Sequence, residues 1–489
     1  MLENAANLFE RLDDTAISYC HWKSNRGLDA GVQGATDLDL LVERRQADAF
    51  RDVLHELGFR PASEGATRPL PAVEHYHALD PSGSLVHVHA YYRIISGDSL
   101  GKSYHFPLEA MLLENTRRVG LVTVPSEGAE LIVFTLRMHI KHTSLVELAL
   151  LHRDWPHVRR EADGLAGREA RREAAVLLST WLPQVDGTLF ASAVDALVKP
   201  MPLAQRVVIA RQIRAQLQPF ARYGRVRASM IRTQKLMEAG VARLHGSRRR
   251  LVPANGGAVI AFVGAEATGK STIIQDVEQW LNPHYVVRRV HAGKPPGTVL
   301  TTLPNLLLPA LRALLPEQRS TSVMRKRIDV EPRGRAGRFP LLFALRSVSL
   351  AHDRRALLTH AFAAAANGSI VLCDRYPSLD ADALDGSQLA AEVDACDAGP
   401  VRRWLARLEA RLYRDVPAAD LVIRLTAPLE VTLERNRSRE KREGDEYVLA
   451  RRERSLKQTF GRARVVDVDT DRPLHEAKAE VRQLVWESL

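Results

Sequence analysis

In the run Gly264-Ala265-Glu266-Ala267-Thr268-Gly269-Lys270-Ser271-Thr272 the first eight residues follow the order G-x-x-x-x-G-K-S, just after an apolar stretch, Ala258 to Val263, and just before a segment of helical texture. That order suits phosphate chemistry. The glycines let backbone N–H groups turn inward around a β-phosphate, and a helix start adds a favourable dipole. Lys270 can then reach the β- and γ-oxygens, while Ser271 can hold Mg²⁺. The segment Gly264 to Thr272 therefore predicts a site for ATP or GTP with Mg²⁺. A glycine-rich turn that binds nothing is the competing reading, and the strand before it and the helix after it argue against that reading.

A phosphate loop alone does not separate kinases from GTPases or mechanical ATPases. Three further features bear on the choice. Asp374-Arg375-Tyr376 stands at the carboxyl end of the apolar run Ser369 to Cys373, where a carboxylate can organise Mg²⁺ and an arginine can face a second phosphate. Lys294-Pro-Pro-Gly297-Thr298 follows a second strand-like run, and Arg435, Arg437 and Arg439 alternate just after a fourth, Leu421 to Leu425.

Taken together, residues 256 to 489 resemble the thymidylate kinase family of nucleoside monophosphate kinases. The resemblance implies that Glu266 contacts the acceptor's sugar hydroxyl, that Arg375 and Lys294 hold the acceptor phosphate, and that Ser271 and Asp374 hold Mg²⁺. It also implies that Arg435, Arg437 and Arg439 belong to a lid that supplies the transition-state cation over ATP, with Lys270 as the loop cation. Arg354, beside Asp353, weakly resembles the family's base-reading arginine. A solvated helix face is the alternative for the three lid arginines, whereas for Asp353 and Arg354 a surface position is the favoured reading. The implied reaction carries the γ-phosphoryl group of ATP to a phosphate monoester, by family dTMP to dTDP. After Tyr376, however, the chain reads Pro377-Ser-Leu-Asp-Ala-Asp-Ala-Leu-Asp385-Gly386, without the serine and A-Y-Q segment that line the family's base pocket. Extra chain between Thr298 and Asp353 includes the basic loop Arg325 to Arg335. A sugar phosphate or lipid-linked acceptor thus stays open, as does a nucleotide-dependent switch acting on the amino-terminal half.

A second constellation lies near the amino terminus. Asp37 and Asp39, two residues apart in a strand-like run from Thr36 to Val42, share one face, which is how a nucleotidyltransferase holds two metal ions. With Lys23-Ser24 standing where a glycine-serine turn would be, residues 15 to about 95 resemble polymerase-β-type nucleotidyltransferases. Those enzymes carry a third carboxylate on a neighbouring strand. Here the corresponding run, Leu85 to Ala90, offers His87 and His89, which suit softer metals than magnesium. The expectation is a scaffold with a surface D-x-D rather than a working transferase. His139 and His142, at helical spacing, read as ordinary helix residues.

The elements that must position these residues follow from periodicity. Before about residue 124, strand-like runs (Thr36 to Val42, Leu85 to Tyr92) mix with a helical stretch, Gln46 to Leu57. From about 125 to 250 the texture is helical, through Glu130 to Leu151, Glu173 to Leu182 and Leu203 to Leu217. After the loop Pro253 to Gly257, buried strands alternate with helices: Ala258 to Val263, Tyr285 to Val290, Ser369 to Cys373, Leu421 to Leu425 and Arg464 to Val468. The expected fold class is α/β. A parallel sheet with helices on both faces (256–489) would follow a nucleotidyltransferase-like α/β module (1–124) and a helical segment with a basic linker (125–250).

Composition sets the outer limits. At 489 residues and 45% hydrophobic, the chain is too long for one core and apolar enough for several, which excludes wholesale disorder. The formal charge is +11, and residues 201 to 250 alone hold twelve Lys or Arg against the single acid Glu238. That local excess predicts an anionic partner: lipid, polyphosphate, nucleic acid or an acidic protein. Cys20, Cys373 and Cys396 are too few and scattered for a disulfide framework, and the opening Met1-Leu-Glu-Asn lacks a signal peptide's basic start. A cytoplasmic protein is expected. The oligomeric state, including a homodimer, stays open.

Overall fold

A computed structural model describes residues 1–23, 25–65, 70–97, 101–141, 145–244, 250–298, 301, 340–380, 383–395, 399–438 and 444–489. Ser24, His142, Cys396, Arg439 and the basic loop 325–335, all singled out above, lie outside the described residues. The chain divides into two compact units, Met1–Arg249 and Arg250–Leu489.

The first unit begins with α1 (Glu3–Asp14), whose Ala5, Leu8, Phe9 and Leu12 recur at helical spacing and are all buried. Its strands are β1 (Tyr19–His21), β2 (Leu38–Val42), β3 (Arg60–Ser63), β4 (Val73–Leu79) and β5 (Leu85–Tyr91), lying in the order β1-β2-β5-β4-β3. α2 (Leu28–Val32) and α3 (Ala47–Glu56) connect them; two short ribbons, β6 (Ile94–Ser96) with β7 (Tyr104–Phe106) and β8 (Thr116–Val119) with β9 (Val122–Pro125), flank α4 (Glu109–Glu114). β5 is the central element: it runs parallel to β2 and antiparallel to β4, with Asp39 opposite His89 on one side and His75 opposite His89 on the other.

Helices then take over: α5 (Glu127–Lys141), α6 (Leu145–Leu165), α7 (Arg168–Trp181), α8 (Gly187–Val198), α9 (Leu203–Gln216) and α10 (Arg225–Leu244). α5 is apolar almost all round and is buried almost all round, as such a helix must be. Leu131, Val133, Leu136 and Ile140 of α5 share one hydrophobic core with Cys20, Leu41 and Tyr91 of the strands, with Trp22 just after β1, and with Leu178, Val194 and Ile213 of α7 to α9. The strands and the helical segment are therefore one compact body. α8 carried no marked sequence signal, yet Asp186 starts it by accepting the Leu189 N–H at 2.8 Å, an N-cap worth about 1 kcal/mol.

The second unit opens with a two-residue strand, β10 (Val252–Pro253), and is built on five parallel strands. These are β11 (Val259–Gly264), β12 (Val287–His291), β13 (Ile370–Asp374), β14 (Leu421–Thr426) and β15 (Arg464–Asp469), in the order β12-β13-β11-β14-β15. Each lies within two residues of the run read from sequence. The apolar continuity of β11 and β13 reflects burial on both faces. Connecting helices are α11 (Lys270–Leu281), α12 (Leu341–Ala366), α13 (Leu389–Ala395), α14 (Pro400–Arg414), α15 (Leu429–Arg437), α16 (Asp445–Leu456) and α17 (Leu474–Glu487). On one face Leu358, Ala361 and Ala365 of α12 pack on Val259, Ala261, Val371 and Val422. α17 is fastened to α11 by the Arg482 guanidinium, which donates to both oxygens of Asp276 at 2.9 and 3.0 Å. In a sheet of this order, ligands bind outside the carboxyl ends of the strands, where the connections diverge.

Candidate functional site

At the carboxyl end of β11 the chain turns through Gly264 to Gly269 into α11. Gly264 has φ 142°, and a Cβ there would lie 2.4 Å from the Leu425 carbonyl oxygen of β14, so only glycine fits. Gly269 takes the left-handed conformation, φ 83°, immediately before the first helical residue, Lys270. The Thr268 hydroxyl closes the loop on the Ala265 carbonyl at 3.0 Å. Lys270 is buried, and its Nζ donates to the carbonyls of Gly264 and Ala265. Burial pushes the Lys270 ammonium down to about 8, and the nearby Arg375 cation adds to the effect; Glu266 and Asp374 work the other way. Ser271 and Thr272 are exposed in the first turn of α11.

The neighbouring strand β13 delivers Asp374 and Arg375 to the same end of the sheet. Arg375 is held at φ 70°, a conformation that costs a non-glycine residue of order 1 kcal/mol or more and that clusters at functional sites. Its guanidinium donates to Glu266 at 3.0 Å and to Asp385 at 3.3 Å. Glu266 also meets Arg451 of α16 at 3.1 Å. Burial opposes its charge, but Arg451, Arg375 and Lys270 outweigh burial and hold the carboxyl at about 2. Among the described residues Asp374 makes long ion pairs, 3.7 Å to Arg289 and 3.8 Å to His291.

Asp353 and Arg354, expected from the sequence at the surface, are each only 5% exposed, which corrects that expectation. The reason is packing: α12 lies against the sheet on one side and against α14 on another, so polar residues within it must find internal partners. Arg354 donates to the Ala292 carbonyl at 2.8 Å, the Tyr413 hydroxyl at 2.7 Å and the Asp385 carboxylate at 2.9 Å. Asp353 accepts from the Thr298 N–H at 3.1 Å and the Thr301 hydroxyl at 2.7 Å. One connected polar cluster thus runs from Arg451 and Glu266 through Arg375 and Asp385 to Arg354.

The remaining expected residues stand apart from it. Lys294 is exposed in the loop after β12. Arg435 donates to the Thr470 hydroxyl and carbonyl at 3.2 and 2.8 Å, while Arg437, two residues on and so on a different face of α15, pairs with Asp445 at 3.1 Å. Among the described residues, no hydrogen bond or ion pair joins either arginine to Glu266 or Arg375. Sequence reasoning missed Arg451, Asp385 and Tyr413. Arg451 sits among Arg452 and Arg454, and nothing in that run marks which arginine turns inward; Asp385 had one usable signal, the turn-forming Asp385-Gly386 pair.

In the first unit, Asp37 and Asp39 do face one way, and the residues opposite them are histidines. His87 Nδ1 lies 3.1 Å from Asp37, His89 Nδ1 lies 3.1 Å from Asp39, and Lys23 Nζ lies 2.6 Å from Asp39. The Tyr91 hydroxyl meets Lys23 at 2.7 Å and His89 at 3.0 Å, and His75 meets His87 at 3.2 Å. Burial, reinforced by His89 and His87, depresses His75 to about 3, so that imidazole is neutral at ordinary pH. Among the described residues, no group of three or more His, Cys, Asp or Glu is arranged to hold a metal ion. His139 is buried and meets the Ala193 carbonyl at 2.8 Å, a structural helix contact.

The second unit is thus a parallel α/β sheet with a glycine-bounded loop and a charged cluster at its carboxyl edge. No family model matches the chain. It is similar to two curated proteins called uncharacterized ATP-binding protein YghR, from Escherichia coli strain K12 and from Escherichia coli O6:H1. Each is 28% identical over 184 residues, which is 36% of this chain and 68% of the relative. No helix among the described residues is long and apolar enough to cross a membrane.

Proposed function

We propose that the second unit is a Mg·ATP-dependent phosphotransferase of the nucleoside monophosphate kinase type, acting on a phosphate monoester, by its resemblance dTMP. The observation that carries this reading is the convergence of Lys270, Glu266, Asp374 and Arg375 at the carboxyl ends of two adjacent parallel strands, β11 and β13. The description of the two relatives as ATP-binding proteins supports its nucleotide half.

Phosphoryl transfer needs positioning and charge neutralisation more than covalent chemistry. The loop 264–270 and the start of α11 would bind the β-phosphate, and Lys270 would leave its two carbonyl partners for the γ-oxygens. Ser271 and Asp374 fit Mg²⁺: both offer hard oxygen donors, the Ser271 side chain is exposed, and among the described residues the Asp374 carboxylate makes only long ion pairs. Bound there, the ion would neutralise developing charge. Arg375, aimed by Glu266 and Asp385, would grip the acceptor phosphate, with Lys294 contributing from its loop and Glu266 orienting the sugar. Arg435, Arg437 and Arg439 would act after lid closure, which requires the Thr470 and Asp445 contacts to break.

One observation favours an acceptor other than a nucleotide. In place of the family's base-lining segment, the turn after Tyr376 brings Asp385 onto Arg354 and Arg375, an ionic lining better matched to a hydroxyl-rich sugar phosphate than to a flat base. γ-Labelled ATP offered with a panel of nucleoside monophosphates and sugar phosphates tests both readings. Label should move to one class of monoester; ATP binding without transfer to any of them would favour a nucleotide-dependent switch instead.

A further inference from the structure

We propose that helix α10 is an interfacial helix that lies on an anionic lipid surface. On α10, Val226, Met230 and Met237 are 72%, 66% and 66% exposed, and with Thr233 they fall at spacings of four, three and four residues, forming one stripe along three turns. A stripe with three large apolar side chains facing water is uncommon on a helix of a folded domain, and it marks a docking face. The rest of the helix is basic. Arg225, Arg227, Arg232, Lys235 and Arg243 stand against the single acid Glu238, within the segment 201 to 250 that carries as much net charge as the whole chain.

Charge and side-chain type select the occupant. A second copy of α10 could match the apolar stripe, but two helices of net charge +4 repel and have no acidic row to pair with. Nucleic acid would match the charge, yet the stripe offers methionine and valine where single strands need aromatic platforms. An anionic bilayer satisfies both halves: the apolar stripe enters the acyl boundary while long Arg and Lys side chains reach phosphate headgroups. With no described helix able to span a membrane, such attachment would be peripheral and salt-sensitive.

The full chain should be co-sedimented with vesicles of phosphatidylcholine alone, and with vesicles of phosphatidylcholine mixed with phosphatidylglycerol. The inference requires binding to the mixed vesicles only, weakened by salt. Arg227→Ala with Lys235→Ala should lower the partition coefficient roughly 30-fold, about fivefold per cation. Met230→Asp with Met237→Asp should abolish binding, with circular dichroism and melting temperature unchanged because those side chains face solvent. Absence of binding to the mixed vesicles, equal binding to neutral ones, or binding indifferent to the Met230 and Met237 changes overturns the inference. So would tighter binding to DNA or RNA than to the mixed vesicles.

Discussion

The buried Lys270 ammonium would give the proposed nucleotide site a pH dependence of its own. Burial and Arg375 lower its pKa to about 8, so the fraction carrying charge falls from about nine-tenths near pH 7 to about one-tenth near pH 9. The terminal ATP phosphate is already about nine-tenths ionised at pH 7, since the second ionisation of a phosphate lies near pH 6, so its own titration adds little over that range. If only the charged lysine binds them, affinity for ATP must weaken roughly tenfold between about pH 7 and pH 9. That is about 1.4 kcal/mol, with one proton taken up per nucleotide bound at the alkaline end. Calorimetric titration with ATP in buffers of different ionisation enthalpy reads both quantities. Lys270→Gln should bind ATP weakly and with a flat profile. A wild-type profile that is equally flat, with no proton uptake, would refute the placement of Lys270 on the nucleotide.

Arg375→Ala should abolish phosphoryl transfer while equilibrium titration shows ATP affinity nearly retained; lost ATP binding with preserved acceptor binding would move Arg375 to the wrong substrate. Replacing Arg435, Arg437 and Arg439 together by alanine should lower kcat far more than it raises KM for ATP, because a closing lid acts in the transition state. Glu266, held at about 2 against an ordinary 4.5, contributes stability that is complete above about pH 4.5 and is lost as the pH falls towards 2. Glu266→Gln should therefore cost on the order of 2–3 kcal/mol in urea unfolding at neutral pH and flatten the acid limb, whereas an unchanged midpoint would mean that the Arg375 and Arg451 pairs are solvated. In the first unit, Asp37→Asn should leave the kinase reaction unaffected. Wild-type protein should incorporate no α-labelled nucleotide with Mg²⁺ or Mn²⁺, and incorporation dependent on Asp37 and Asp39 would make the protein bifunctional.

Legibility in the sequence followed the strength of local constraint. The three central strands could be read because each is buried on both faces and is almost continuously apolar, as Val259 to Val263 and Ile370 to Cys373 are, whereas the edge strands β12 and β15 are largely exposed and were legible only through their valines, Val287, Val290, Val465, Val466 and Val468. The loop from Gly264 to Gly269 stood out because its two end glycines are required by backbone conformation, at φ 142° and 83°. β4 was harder: Val73-Glu-His-Tyr-His-Ala-Leu79 carries polar residues on the face it shares with His87 and His89, so its alternation resembles a loop. For the same reason His75 and His77 went unnoticed. Arg354 and Arg451 were hidden for another reason. An arginine's inward turn depends on a carboxylate or carbonyl far along the chain, Asp385 or Ala292 for one and Glu266 for the other, and single-residue polarity argues for the surface.

The central claim is that this chain moves a phosphoryl group from ATP to a phosphate monoester. ³¹P NMR of ATP, Mg²⁺ and the acceptor selected from the panel, followed after addition of the protein, watches every phosphorus atom at once. The account predicts that the monoester signal is replaced by a new diphosphate in step with ADP, with no inorganic phosphate formed. ADP accompanied only by inorganic phosphate, or an unchanged monoester signal while ATP is consumed, would contradict it.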